Sequence, residues 1–98
     1  MPVVCELTSA AIVARRERLL PALAARATVR EQTEDGCRFS FEANSDTLKL
    51  ITQVIDAERQ CCRWLSFTLT VAPDAAPIVL TLSGPTGARE FLAALFES

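Results

Sequence analysis

Histidine is absent from the 98-residue chain. That excludes His-dependent catalytic triads, haem ligation through imidazole and Cys2His2-type zinc sites, so any bound metal must take sulfur and carboxylate donors. A basic excess is missing as well. Ten Lys and Arg stand against twelve Asp and Glu, for a formal net charge of -2. A free-standing nucleic-acid binder carries the opposite balance, so no nucleic-acid partner is expected. No apolar run approaches the ~20 residues that span a bilayer. The start, Met1-Pro2-Val3-Val4-Cys5, lacks the basic residues and long apolar stretch of a secretory signal. No membrane partner is expected, and the default location is the cytoplasm, where thiols stay reduced. Linkers, repeats and low-complexity segments are also missing, so residues 1–98 read as a single α+β domain.

Half of the residues are hydrophobic, enough for a packed interior and too many for a disordered chain. Four cysteines are present. In a reducing compartment they are packed thiols, metal ligands or redox groups rather than two disulfides.

The elements follow from periodicity. Val3 to Leu7 alternates as a short strand, with Val3, Cys5 and Leu7 on one face. Thr8 or Ser9 offers an N-cap for a helix over Ala10 to Ala25, with Ile12, Leu19, Leu20 and Leu23 inward and Pro21 predicting a kink or break. Arg15, Arg16 and Arg18 lie together on its outside as a solvated face. Thr28 to Thr33 and Cys37 to Glu42 flank Glu34-Asp35-Gly36, a hairpin signal in which Gly36 supplies the positive φ of the turn. Cys37, Phe39 and Phe41 face the core. Ser45 can cap the next helix. Phe67, Leu69 and Val71 point inward from a half-buried strand, as do Ile78, Leu80 and Leu82 from the strand after the Pro73 to Pro77 turn. A last helix runs from Ala88 to Phe96. The order βαββαββα implies a two-layer α+β sandwich, a largely antiparallel sheet with helices on one face.

The most strongly patterned stretch is Ser45 to Leu65. Leu48, Ile51, Val54, Ile55, Cys61, Cys62 and Leu65 share one side; Lys49, Thr52, Gln53, Asp56, Arg59, Gln60 and Arg63 share the other. Glu58 breaks the pattern by falling inside the apolar arc, one turn before both cysteines. A carboxylate there must reach water at the helix edge or find an internal partner, because burying an unpaired charge is expensive. It can serve as a metal ligand, as a base for a thiol proton, or as the partner of Arg15, Arg16 or Arg89. Adjacent helical residues diverge by about 100°, so Cys61 and Cys62 can grip one ion only if the helix ends there. If the first strand docks beneath this helix, Cys5 brings a third sulfur. Three thiolates and Glu58 would suit a soft, thiophilic ion such as mercuric, arsenite, cuprous or zinc.

The other candidates have plain structural readings. Cys37 sits by the hairpin turn as a packing residue. Gly84-Pro85-Thr86-Gly87 could hold an anion at a helix N-terminus, yet lacks the lysine of a phosphate loop and reads as a turn capped by Thr86. Trp64 is a lid, a dimer contact or a rim residue of the core.

Cys5-Glu6-Leu7-Thr8, Glu58-x-x-Cys61-Cys62 followed by an aromatic strand to Phe67, and Gly84-Pro85-x-Gly87 together resemble a group of small, mostly uncharacterised bacterial proteins. Glu-x-x-Cys-Cys is the specific part. The resemblance implies Cys5, Glu58, Cys61 and Cys62 as a shared constellation, and an association with heavy-metal resistance systems that carry mercury-type regulators. It implies no catalytic activity, and Cys37 lies outside the pattern.

Three functions fit these residues. One is a cytoplasmic soft-metal binding protein using Cys5, Cys61, Cys62 and Glu58. The second is a thiol redox protein using the vicinal pair, although it lacks Cys-x-x-Cys spacing and a nearby carboxylate raises a thiol pKa. The third is a non-catalytic structural or regulatory module, with homodimerisation through open sheet edges or helix packing.

Overall fold

A computed structural model describes residues 10–96. The expected strand Val3–Leu7, with Cys5, lies outside the described residues, as do the side chains of Ile12, Arg15 and Arg16. The described chain runs α1 (Ala10–Arg26), β1 (Ala27–Thr33), β2 (Gly36–Phe41), α2 (Ser45–Cys61), β3 (Ser66–Thr70), β4 (Ile78–Ser83) and α3 (Ala88–Phe96). The four strands form one antiparallel sheet in the order β1-β2-β4-β3, with the helices packed on it. Each hairpin contributes one central and one edge strand, and the central pair is itself antiparallel, Gly36 facing Ser83 and Phe41 facing Ile78.

Alternation decides what the sheet buries. Phe39 and Phe41 from β2 and Ile78, Leu80 and Leu82 from β4 all point into the core. Ile51 and Val54 of α2, Leu19, Leu20 and Leu23 of α1, and Leu92 of α3 close it from the helix layer. Removing one of these side chains to Ala would cost about 2–5 kcal/mol. Helix α1 continues through Pro21 without breaking into two pieces. Its end is tied to the next helix by Arg26 Nη1, which donates to Thr47 Oγ1 at 3.2 Å. Thr47 is therefore a buried polar residue with a partner.

Four local expectations change. Asn44, not Ser45, caps α2: its backbone is extended and its Oδ1 accepts from the Thr47 amide at 2.8 Å, while Ser45 is already helical. Such a cap contributes about 1 kcal/mol. Gly36 does not supply a positive φ, since Glu34 and Asp35 make the turn and Gly36 already pairs with Thr33 and Ser83. Glycine is needed there because a Cβ would run into the Leu82 backbone, 2.8 Å from its carbonyl carbon and closer still to its oxygen. Val71 is not an inward residue; β3 ends at Thr70 and Val71 is 58% exposed. Last, helical geometry stops at Cys61, so Trp64 and Leu65 reach the core from a turn rather than from the helix face.

Candidate functional site

The end of α2 is built by its own sequence. Cys62, the C-cap, leaves helical geometry at φ -115°, ψ 79°, while its amide still donates to the Glu58 carbonyl at 2.7 Å. The Leu65 amide then donates back to the Cys62 carbonyl at 3.0 Å, closing a turn into β3. This turn brings Trp64 inward. Its ring meets Phe91 of α3 edge-on, with centroids 5.2 Å apart and planes at 89°. Such a contact is worth about 0.5–1.5 kcal/mol beyond the area it buries. Gly84 passes directly beneath the indole; a Cβ there would lie 2.7 Å from Trp64 Cε3 and 2.9 Å from the Ala88 Cβ. Trp64 thus belongs to the core rather than to a lid.

Of the four residues picked out in the sequence, Glu58 and Cys62 are in contact here, and Cys61 is buried next to Cys62 in the chain. Glu58 is only 3% exposed, Cys61 1% and Cys62 0%. The Cys62 thiol donates to Glu58 Oε1 across 4.0 Å, a long sulfur–oxygen contact inside the core. The contact sets a sulfur donor beside an oxygen donor inside the core. Cys61 and Cys62 carry thiols, not a vicinal disulfide. The exposed side of α2 is separate from this chemistry: Arg59 pairs with Asp56 at 2.9 Å on the outer face. Among the described residues, no group of three or more Cys, Asp or Glu side chains gathers closely enough to hold a metal ion. Glu58, Cys61 and Cys62 therefore do not suffice as a donor set by themselves.

The remaining candidates lie elsewhere. Arg89 is not the partner of Glu58; its Nη2 donates to Gln32 Oε1 of β1 at 2.9 Å. Cys37 is half-buried on β2, packed against the core, and burial pushes its thiol from 9.0 up to about 11. That fits the packing role expected of it. The Gly84–Gly87 turn is closed by the Ala88 amide donating to the Pro85 carbonyl at 2.9 Å. Among the described residues, Glu34, Asp35 and Glu90 line the depression around it against the single cation Arg89, a net negative setting that disfavours an anion. Sequence reasoning missed Gly84 beneath Trp64 and the Arg89–Gln32 link, because both join residues more than fifteen positions apart. No helix of the described residues is long and apolar enough to cross a membrane.

Comparison with protein-family models, with curated proteins and with solved structures gives no significant match.

Proposed function

We propose that the chain is a cytoplasmic binding protein for a soft, thiophilic metal or metalloid ion, and not an enzyme. The observation that carries this is the buried carboxylate of Glu58 in contact with the Cys62 thiol where α2 ends. A buried carboxylate must be matched by polar or charged neighbours, and an acid in contact with a thiol offers one oxygen and one sulfur donor together, a set that suits a soft ion. Because the described trio is insufficient, the site requires Cys5 as a further sulfur donor. Cys61 and Cys62 would supply thiolates, and Glu58 a fourth ligand or the acceptor of a displaced thiol proton. Binding would release protons and tighten with rising pH, since thiols must ionise to ligate. The likeness of Glu58-x-x-Cys61-Cys62 to proteins that accompany heavy-metal resistance systems makes mercuric ion the first ion to test.

The test is titration of the reduced chain with mercuric ion in excess glutathione, following thiolate charge-transfer absorbance. Glutathione outcompetes any single thiol, so only converging donors register. Cys37→Ser should leave the affinity unchanged, whereas Cys5→Ser and the Cys61→Ser, Cys62→Ser double variant should lose it. Unaltered affinity in the double variant removes the proposal.

A second reading has its own support: at 0–1% exposure, Cys61 and Cys62 are packed like small apolar side chains. The domain would then be a structural or regulatory module, with β1 and β3, the edge strands among the described residues, as candidate surfaces for a second copy. Equal thermal stability with and without mercuric, arsenite, cuprous or zinc ion would favour it. A redox role has weaker support, since the pair lacks Cys-x-x-Cys spacing and both thiols are buried away from an exchange partner.

A further inference from the structure

At the opposite edge of the sheet, α3 packs on β2 but leaves the inner face of β1 only partly covered. Cross-strand partners share a face. Arg30 lies opposite Phe39 and Gln32 opposite Cys37, so both point toward the helix layer. Between them and α3 runs an open groove of about 230 Å³. Its floor is apolar: Phe39, Leu92, Ala93 and Phe96, with the Phe39 and Phe96 rings 4.9 Å apart. Its rim is cationic. Arg89 is docked on Gln32, the residue two along from Arg30, and neither arginine has a carboxylate partner among the described residues. The one acid at the rim, Glu31, is turned to Arg38 at 3.6 Å.

We infer that this groove binds a small amphipathic monocarboxylate, its apolar body on the Phe39–Phe96 floor and its carboxylate between Arg30 and Arg89. Two facts select that class. A guanidinium recognises a planar carboxylate through paired N–H donors, and two of them against one acid that is turned to Arg38 leave a net positive mouth over hydrocarbon. The volume lies just below the range of drug-sized ligand sites, ~300–1,000 Å³, which suits a short aliphatic or aryl acid. Gln32 holds the Arg89 fork in place, so part of the ordering is complete before a ligand arrives. The site is independent of the thiols at the end of α2.

The probe is octanoate, added to the metal-free reduced chain and read by calorimetry and by peptide-resolved iodoacetamide labelling of Cys37, which lines the groove. Octanoate should bind and slow Cys37 labelling, and octanol should bind at least tenfold more weakly. Arg30→Gln with Arg89→Gln should weaken octanoate tenfold or more without altering the melting curve, because both side chains are exposed. Ala93→Trp, which fills the groove, should abolish binding while leaving the arginines in place. Equal affinity for octanoate and octanol, or octanoate binding that survives Ala93→Trp, overturns the inference. So does a dimer that Ala93→Trp dissociates with no octanoate bound, which would seat a second copy in the groove.

Discussion

Replacing Gly84 with Ala adds one methyl group against the indole of Trp64. The backbone at Gly84 is not in the left-handed region, so the penalty is steric alone. The new Cβ would stand 2.7 and 2.9 Å from two carbons of the Trp64 ring and 2.9 Å from the Ala88 Cβ. Carbon atoms rest at about 3.5–4.0 Å, so the ring must retreat by roughly 1 Å. Retreat is opposed, because Phe91 meets the same ring edge-on and the Cys62–Leu65 turn anchors its backbone. Overpacking of this kind costs about 1–3 kcal/mol. In a domain of this size, 1 kcal/mol moves the melting temperature by about 4–8 °C, so the variant should melt some 5–20 °C lower. Trp64 is the only tryptophan, which makes its fluorescence a direct reporter. Its emission should shift to the red in the folded state, and urea unfolding should report the same loss of stability. A Gly84→Ala variant within about 0.5 kcal/mol of wild type with unchanged emission would refute the packing around Trp64.

Two smaller effects follow from the same structure. Asp74 and Ala75 hold φ of 61° and 56° in the turn closed by the Ala76 amide and the Pro73 carbonyl, a left-handed conformation that an alanine adopts at a cost of about 1 kcal/mol. Ala75→Gly should therefore stabilise the protein by about 0.5–1 kcal/mol in urea unfolding, and a loss of stability would count against that turn. Cys37, raised by burial from 9.0 to about 11, keeps its proton in the folded chain where the unfolded chain has lost it. Its contribution is thus complete below pH 9.0 and disappears as pH climbs toward 11. After discounting for the open groove it amounts to about 1 kcal/mol. Cys37→Ser should flatten the stability–pH curve in that window relative to wild type, and an identical slope would contradict the burial of this thiol.

Much of the layout was legible because one period dominated each segment. Strand β4 and helix α3 begin and end where alternation and the 3.6-residue stripe place them, since each buries one clean face. The place of Glu58 inside the apolar arc was legible for the same reason, but periodicity left open whether its carboxylate reaches water at the helix edge or turns inward, and the structure buries it. The stripe misled at the end of α2, where Leu65 keeps helical spacing although it reaches the core from a turn. Periodicity reports which side chains are buried, not which backbone delivers them. Gly36 was misassigned because an Asp-Gly pair signals a turn locally, whereas its need for glycine comes from Leu82, 46 positions away. The groove at β1 was invisible for a similar reason. Arg30 and Gln32 read as an ordinary polar edge until α3 is known to bring Arg89 across to them.

The decisive measurement concerns sulfur. X-ray absorption at the mercury edge of the loaded chain, in a Cys37→Ser background, counts the sulfur atoms bound to the ion. Three sulfurs are expected, with one fewer after Cys5→Ser and two fewer after Cys61→Ser with Cys62→Ser. A single sulfur, or a shell that neither replacement changes, would contradict convergence of the first-segment thiol with the end of α2.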